Sequence, residues 1–432
     1  MATSLGIHLR ADGFSFAVVE GGAKKHVLKS SGEGVVPAGT APRAVGKLVA
    51  DMVKMRKADH VSVVTPSGRV VLRELSLPFT EREKVLQVLK FEVESELYHL
   101  SVDEVVVDFI ALEGARATPS LLVGIMPKSH VRQALDAASG GGWDPHSVQA
   151  SYAAYSYALN VLAPRLLASK EEETEPALFV HLGAVETLVA QVGASGHLRA
   201  MRTIPVGWLE LTRDLAPLRE AEGEVIPPGA EAEESEAPAA ADSAKIGKEE
   251  AAVPEAILFG ADPALIGCTL SEAIRRAGDA RCAALCKRLA NEVRRAMAAM
   301  PGDGATVVLT GADIPGWERA LTVRTGCQLR KLDSTIGDEE RRTDLVALGA
   351  AFAGLGIAQT PMNFRMEEFR YARGLERVEG PLTLALVGLI AWLVIDAGVH
   401  VKQGMWQRDQ AEMIYRDADA LVVQLNTRVK ED

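Results

Sequence analysis

The sequence predicts an α/β protein made of two αβ halves in series, followed by one membrane-spanning helix. Three observations predict this. Paired apolar runs around a small turn open the chain and recur near residue 177, and helical patterns follow each pair. The 432 residues, 48% hydrophobic and 24% charged, have the balance of globular domains. One late stretch, PLTLALVGLIAWLVI at 381–395, has the composition of a bilayer span.

The first half is predicted to cover residues 1–165. Its apolar runs LGIHL and FSFAVVEGG flank a turn, and the helical pattern AVGKLVADMVKM and the strand HVSVVTP follow them. An inserted α/β subdomain is predicted at about 76–148. There Thr80 and Glu83 form a capping-box pattern before a helix whose apolar residues recur every four positions, and two strands and a helix from Lys128 come next.

The second half, predicted at 166–360, repeats the opening scheme. ALFVHLGAVETLVAQVG again gives two apolar runs around a turn, and a helix is expected from Trp208 to Leu218. Two further helices are expected, the first ending at Arg276, and then the strand ATVVLTG and a final helix DLVALGAAFAGLG. The two halves therefore share the order of their first elements.

An acidic insertion interrupts the second half at 220–255. It holds eleven acidic residues and two lysines, so it carries −9 of the chain's net charge of −11. With almost nothing apolar to bury, it is predicted to be flexible, although an acidic tail of this kind can also dock a basic partner. The remainder of the chain is nearly neutral, which argues against a nucleic-acid-binding surface.

Motifs for metal binding and catalysis are missing from the sequence. The four cysteines lack a CxxC pair, and Cys282 and Cys286 lack further ligands at zinc spacing. No HExxH or GxSxG pattern occurs. We therefore expect reduced core thiols, no metal site and no catalytic residue.

The order of these motifs resembles the actin-like ATPase superfamily, in particular the branch of the pilus assembly protein PilM. The doubled strand–turn–strand opening, VVLTGAD and ALGAAFAGLG carry the resemblance. LRELSLPFTEREKVLQVLKFEVESELYHLSVDEVVVDF is similar to the insert subdomain of that branch, and RTIPVGWLELTRDLA resembles the segment after its second phosphate loop. The similarity covers about 5–359 and implies a duplicated, RNase H-like actin fold.

The resemblance also locates the positions where superfamily members hold ATP. Those members carry Asp-x-Gly in both openings, where the carboxylate organises magnesium and glycine lets backbone N–H groups approach phosphates. Here His8 and Arg10 stand at the first such positions, and His181 replaces the second aspartate. A neutral imidazole does not replace a carboxylate as a magnesium ligand. The remnants of the nucleotide site are His8, Arg10, His181, Gly183, Thr187, Thr310 and Gly311.

These losses predict a chain that does not hydrolyse ATP, is not an enzyme and uses no cofactor. Asp12 in the first turn could replace the missing acid from a neighbouring position, and a solvated turn aspartate is the simpler interpretation. The competing hypothesis is a nucleotide switch in which ATP opens and closes the two halves, and it requires an intact phosphate site. A membrane-anchored sugar kinase of the same superfamily fails because a catalytic aspartate is missing from its expected setting.

The membrane span is predicted at 380–401, because a helix rising about 1.5 Å per residue needs about 20 residues to cross a hydrocarbon core of about 30 Å. A buried core helix is the alternative. Since the start of the chain lacks a signal pattern, we expect the N-terminal part in the cytoplasm and the C-terminus in a periplasm. Trp392 lies within the span. Asp396 and His400, four residues apart, share one helix face, and their polar groups are expected either to snorkel toward the lipid headgroups or to contact a partner helix.

A juxtamembrane segment at 361–379 precedes the span. Its stretch PMNFRMEEFRYARG is similar to type II secretion protein L, the GspL family, which looks like a PilM fused to the start of its partner PilN. Asn363, Phe364 and Phe369 are the partner-contact candidates here. The resemblance implies an inner-membrane platform protein whose partners are a GspE-like secretion ATPase, a GspM-like single-span protein and a GspF-like platform protein. A pilus-assembly role like that of PilM and PilN is the alternative.

An amphipathic helix is predicted at 402–432, after the span, with a coiled-coil rhythm at Ile414, Ala418, Leu421 and Leu425. So short a segment has too little core to fold alone, and we expect a homodimer, a higher oligomer or another partner. The acidic helix after Thr80 is a candidate docking surface for the ATPase, and a solvated face explains its charges equally well.

Overall fold

A computed structural model describes residues 2–22, 25–37, 40–55, 57–67, 70–79, 81–94, 97, 101–113, 119–167, 176–193, 195–212, 269–300, 306–330, 343–357, 361–371 and 376–431. The chain divides into two compact units, Met1–Arg370 and Tyr371–Asp432. The acidic insertion predicted at 220–255 lies outside the described residues.

The strands and helices of these residues follow in chain order. The strands are β1 (Ala2–Leu9), β2 (Gly13–Gly21), β3 (His26–Val35), β4 (His60–Thr65), β5 (Val71–Ser76), β6 (Val105–Leu112), β7 (Ser120–Pro127), β8 (Ser147–Ala150), β9 (Ala177–Leu182), β10 (Thr187–Val192), β11 (Leu198–Ile204), β12 (Val307–Gly311) and β13 (Leu329–Arg330). The helices are α1 (Pro42–Val53), α2 (Arg82–Glu94), α3 (Lys128–Gly140), α4 (Ser151–Leu167), α5 (Leu270–Ala298), α6 (Trp317–Thr325), α7 (Leu345–Gly354) and α8 (Glu376–Glu431).

Two five-stranded sheets with the same topology form the framework of the first unit. Their orders are β3-β2-β1-β4-β8 and β11-β10-β9-β12-β13. In each sheet the first three strands are antiparallel neighbours, and the last two run parallel to the strand that opens the half. The sequence predicted that the strand–turn–strand pattern at the start of each half is repeated. In the structure the repeat extends to the whole five-stranded sheet. The sequence did not predict β3, because this edge strand is mostly exposed and its polar residues hide the strand pattern.

The inserted subdomain is a three-stranded sheet, β5-β7-β6, covered by α2. Val85, Leu89 and Val93 bury the face that the four-residue spacing predicted. Its strands and helix lie between Val71 and Pro127. The bounds of the subdomain at about 76–148 stay a prediction. Helix α3 instead packs on α1, where a Cβ on Gly46 would lie 1.7 Å from the carbonyl oxygen of Ala137.

Helices α4 and α7 form the central layer of the first unit, and one hydrophobic core includes residues of both halves. Helix α7 is buried from Leu345 to Ala353. Small residues allow α7 to pack this closely against α4. A Cβ added at Gly349 would lie only 1.8 Å from the carbonyl oxygen of Ala154 in α4. The two helices predicted around Arg276 are both parts of α5, which kinks at Gly278, where φ is 71°.

The second unit contains one continuous helix of 56 residues, α8. The span predicted at 380–401 and the amphipathic helix predicted at 402–432 are consecutive parts of this helix. By length and composition, Thr383–Val423 is able to cross a membrane. No part of its most apolar window is buried in the structure, in contrast to the core helix α7.

Candidate functional site

A cavity of about 860 Å³ lies within the first unit, at the positions where the resemblance places the nucleotide. Its walls come from the turn between β1 and β2, the turn between β9 and β10, the end of β12 and the start of α7. Both halves therefore contribute to the cavity. Six of the seven predicted remnants of the nucleotide site line it: His8, Arg10, His181, Gly183, Thr310 and Gly311.

Asp344, which the sequence analysis missed, links β1 to the start of α7. Its Oδ1 accepts a hydrogen bond from the backbone N–H of Val346 at 2.9 Å, and its Oδ2 lies 2.7 Å from Nδ1 of His8 and accepts a bond from the Ser15 hydroxyl. Burial opposes ionisation, but the contact with His8 outweighs it and holds the pKa of Asp344 well below its usual range. The carboxylate therefore stays ionised and accepts the Nδ1–H of His8.

Arg10 fills the first turn with an ion-pair cluster. Its Nε donates to Asp12 and one of its terminal nitrogens donates to Glu33, both at 3.1 Å. The interpretation of Asp12 as a solvated turn residue was wrong, since only 4% of its surface is exposed. Burial raises the pKa of Asp12, and the nearby guanidinium of Arg10 offsets only part of this rise. A guanidinium thus occupies the turn where glycine would admit a phosphate.

His181 is a buried core histidine. Its Nδ1 lies 3.2 Å from the hydroxyl of Thr310, which also lies 2.8 Å from the hydroxyl of Tyr155. The rings of Tyr155 and His181 stack obliquely, with centroids 4.9 Å apart. Burial lowers the pKa of His181 to about 4, so the imidazole is neutral at physiological pH.

Glu186 bridges the two halves, and sequence reasoning missed it as well. It lies in the turn between β9 and β10, and its Oε1 accepts bonds from the backbone N–H of Ser67 at 3.0 Å and from the hydroxyl of Ser151. Ser67 follows β4 and Ser151 begins α4, so both donors belong to the first half. Burial raises the pKa of Glu186. The sequence offers one indication of the role of Glu186: it is an acidic residue inside a tight turn between two apolar strands.

The remaining predicted residues shape the second turn and the end of β12. Gly183 N–H donates to the carbonyl of Glu186 at 2.9 Å, and the Thr187 hydroxyl donates to the carbonyl of Val206 at 2.7 Å. Gly311 has φ 84°, and a Cβ there would lie 2.4 Å from the carbonyl oxygen of Leu182. These residues therefore stabilise the backbone of the second turn and of the end of β12.

The electrostatics of the cavity disfavour a polyanion. Among its described lining residues Arg10 is the one lysine or arginine, and it is paired. The acids on the same walls are Asp12, Glu33, Glu186, Asp313, Glu318 and Asp344. Within the described part of the chain, no three His, Cys, Asp or Glu side chains are grouped to hold a metal ion. On the described walls, six carboxyl groups against one paired guanidinium make a poor cradle for phosphate.

No family model and no curated protein sequence matches the chain. The solved PilM–PilN type IV pilus biogenesis complex matches with a TM-score of 0.56 and 18% identity over 82% of this chain and 98% of that chain. A Bacteroides thetaiotaomicron protein with an actin-like ATPase fold matches with a TM-score of 0.39 and 11% identity, over 81% of this chain and 95% of its own.

The chain has an actin-like fold. The cytoplasmic domain of EpsL, an inner-membrane component of the type II secretion system of Vibrio cholerae, is a further match, with a TM-score of 0.38 and 12% identity over 85% of this chain and 100% of that chain.

The actin-like body binds the juxtamembrane segment of its own chain. Phe364 is fully buried, and its N–H donates to the carbonyl of Val148 at 2.8 Å, at the edge of β8. The side-chain oxygen of Asn363 accepts the N–H of Val148 at 3.1 Å, and the N–H of Asn363 donates to buried Asp108 at 2.7 Å. The structure thus places two of the predicted partner-contact residues against the body itself, where they cover a sheet edge.

Charged contacts fix the rest of this segment. Arg365 lies 2.6 Å from Asp144 and donates through Nε to the carbonyl of Phe369 at 2.8 Å. Arg132 lies over the ring of Phe369, 5.4 Å from its centroid. Further ion pairs join Lys90 to Glu367 and join Lys128 to both Glu367 and Glu368. We call residues 362–369 with these contacts the clasp.

The three predicted residues of the span lie on helix α8. His400 Nε2 is 3.7 Å from Asp396 Oδ2, so the two side chains share a face as predicted. Trp392 is 60% exposed on the isolated helix.

Proposed function

We propose that the chain is a non-enzymatic platform component of a secretion or pilus-assembly machine, with its actin-like body in the cytoplasm and α8 across the inner membrane. The clasp carries this proposal. It holds residue 369 on the body, and α8 begins at Glu376, so only a few residues separate the fixed segment from the helix. A partner docked on the body would therefore be tethered to the membrane helix by a short stretch of chain.

The cleft supports the non-enzymatic part of the proposal. Reaction with ATP needs a bound triphosphate and a metal ion with oxygen ligands. Here the acid expected from β1 is replaced by His8, which is bonded to Asp344, and Arg10 is paired with Asp12 and Glu33. Glu186 already bridges the two halves. A body held together internally suits a scaffold better than a switch.

In its specific form, we propose a type II secretion role of the GspL kind. The resemblance of the juxtamembrane segment and its direct continuation into a span support this role. The partners would be a GspE-like ATPase on the body, and a GspM-like protein and a GspF-like protein in the membrane. The exposed side of α2, where Phe91 is 76% exposed, is the candidate ATPase surface.

A pilus-assembly role is the second candidate. The fold similarity to the PilM–PilN complex of type IV pilus biogenesis favours it. In that case the chain would combine in one polypeptide the work of two pilus proteins, and a nucleotide switch would be the accompanying activity.

Co-purification of the full-length chain distinguishes the candidates. The tagged protein is extracted from native membranes in mild detergent, and bound proteins are identified by mass spectrometry. We expect a secretion ATPase and a single-span membrane protein of the same machine. Recovery of a pilus ATPase would favour the second candidate, and recovery of neither ATPase would contradict both. A matched Phe91→Glu variant should lose the ATPase and keep the membrane partner if α2 is the docking surface.

A further inference from the structure

The cavity of the first unit has more carboxyl groups than its own cation balances. Six acidic residues line its described walls, and Arg10 is the one lysine or arginine among them. The guanidinium of Arg10 is already shared by Asp12 and Glu33. A cleft whose walls carry one sign of charge concentrates ions of the opposite sign. The charge of this cavity therefore favours a cationic ligand.

Glu186 provides a second observation that points to a ligand. This residue is only 5% exposed and lies on the cavity wall, in the turn between β9 and β10. Its Oε1 accepts hydrogen bonds from the backbone N–H of Ser67 and from the hydroxyl of Ser151. Its Oε2 is also buried, but it has no hydrogen-bond partner within the described part of the chain.

An unpartnered oxygen at this position costs free energy in either protonation state. An ionised Oε2 lacks a donor, and a protonated Oε2 would carry an O–H group that lacks an acceptor. Buried polar atoms in native proteins are almost always hydrogen-bonded, because each one left without a partner keeps its full desolvation cost. A ligand with a charged N–H donor would satisfy Oε2 and form the stronger, charge-assisted kind of bond.

The distribution of acids on the walls indicates the shape of such a ligand. Besides Glu186, the acids include Asp313, two residues after β12, and Glu33 on β3, so they come from separate elements. Apolar side chains on the same walls include Leu188, Leu270 and Val346. The volume of about 860 Å³ lies within the range of small-molecule sites, about 300–1,000 Å³. Positive groups joined by an apolar chain fit these walls.

We propose that the cavity binds a small aliphatic diamine or polyamine, with one ammonium group donating to Oε2 of Glu186 and the others facing the remaining wall carboxylates. A metal ion fits the described walls less well. Magnesium requires several oxygen ligands in near-octahedral geometry, whereas an ammonium group needs only separate acceptors for its three N–H donors. This inference concerns the cavity alone, and it holds whether the body serves secretion or pilus assembly.

Calorimetry of the full-length protein in a neutral detergent tests the proposal, with putrescine as the probe at constant ionic strength. Two control ligands separate charge from shape. Butanediol of the same chain length keeps the apolar chain and lacks the charge, and magnesium chloride supplies a divalent cation without the chain. We expect a saturable heat of binding for putrescine, and an affinity at least several-fold weaker for both controls.

Three variants locate the site. Glu186→Gln removes the charge that meets the ammonium group and should weaken putrescine binding several-fold. Because Glu186 also joins the two halves, Asp313→Asn provides a test at an exposed wall residue on which the fold does not depend, and it should weaken binding as well. Asp136→Asn causes the same change of net charge on α3, outside the cavity, and should leave the affinity unchanged.

Four results would overturn the proposal. No heat with putrescine would mean that no such site exists, and equal affinities for putrescine and magnesium would indicate general attraction to an acidic protein. Unchanged binding in both Glu186→Gln and Asp313→Asn would place the ligand outside the cavity. Equal weakening by Asp136→Asn would show that only net charge matters. Co-purification, which tests the platform role, is a separate measurement, so failure of one proposal is distinguishable from failure of the other.

Discussion

His8 Nδ1 lies 2.7 Å from Asp344 Oδ2, so the first strand of the chain is hydrogen-bonded to the cap of a helix 336 residues later. The same carboxylate accepts the N–H of Val346 and the hydroxyl of Ser15. The Asp344 carboxylate thus accepts three hydrogen bonds from the protein itself. His8 is therefore part of the packing between β1 and α7.

Replacing Asp344 with alanine should destabilise the protein strongly. The change removes a helix cap, worth about 1 kcal/mol, and a charge-assisted hydrogen bond, worth about 1.5–3 kcal/mol. We expect the thermal midpoint to fall by several degrees. Asp136→Ala is the matched control, since this aspartate is 51% exposed and its ion pair with Arg43 spans 3.4 Å. Equal midpoints for Asp344→Ala and Asp136→Ala would refute the structural role of Asp344.

Glu186→Ala should lower the thermal midpoint by an amount similar to Asp344→Ala, because it removes the carboxylate that accepts the N–H of Ser67 and the hydroxyl of Ser151. Only the contacts between Ser67 and Ser151 would remain. Glu186→Gln keeps an acceptor and should cost less. Burial raises the pKa of Glu186, so its neutral form contributes stability that is lost as the pH rises through that pKa. Glutamine does not titrate. The thermal midpoint of Glu186→Gln should therefore rise relative to that of the wild type as the pH rises from 4.5. A constant difference across this range would contradict the assignment.

His181 should make the protein less stable in mild acid. Its pKa falls from about 6.5 to about 4 on folding, so the unfolded chain binds the extra proton between these values. Stability is full above pH 6.5 and declines as the pH falls toward 4, by about 3 kcal/mol at most. His181→Gln should remove this dependence from midpoints measured between pH 4 and 7. His197→Gln, in the turn before β11, serves as the control and should retain it.

The sequence predicted the duplicated architecture well and the interior of the cleft poorly. Apolar periodicity specified β1, β2, β4, β9, β10 and α7, because burial selects their residues directly. Spacing does not reveal Glu186 and Asp344, whose partners Ser67, Ser151 and His8 are distant in the chain. Asp12 was misinterpreted for the same reason, since its burial depends on Arg10 and the packed walls around it. The resemblance identified which turns form the cleft, and only the structure shows what fills them.

Arg365→Ala should release the juxtamembrane segment from the body. Arg365 is joined to Asp144, to the carbonyl of Pro145 and to the carbonyl of Phe369, so its loss removes contacts at both ends of the clasp. Limited proteolysis of the full-length protein in detergent should then cut between residues 361 and 376 several-fold faster. Arg370→Ala, one residue beyond the clasp and exposed, should leave the rate unchanged. Equal rates for wild type and Arg365→Ala would mean that the clasp does not depend on this side chain.

Magnesium-ATP should not stabilise the full-length protein. A ligand at 100 times its Kd raises the free energy of unfolding by about 2.7 kcal/mol, so a nucleotide bound at micromolar Kd would shift the thermal midpoint clearly at millimolar concentration. We expect no shift and no heat in calorimetry. Restoring the acids alone, with His8→Asp and His181→Asp, should not create binding, because Glu186, Asp344 and paired Arg10 still occupy the cavity walls. A nucleotide-dependent midpoint in the wild-type chain would instead support the switch hypothesis, because it would require the cavity to accept a triphosphate despite its carboxylates.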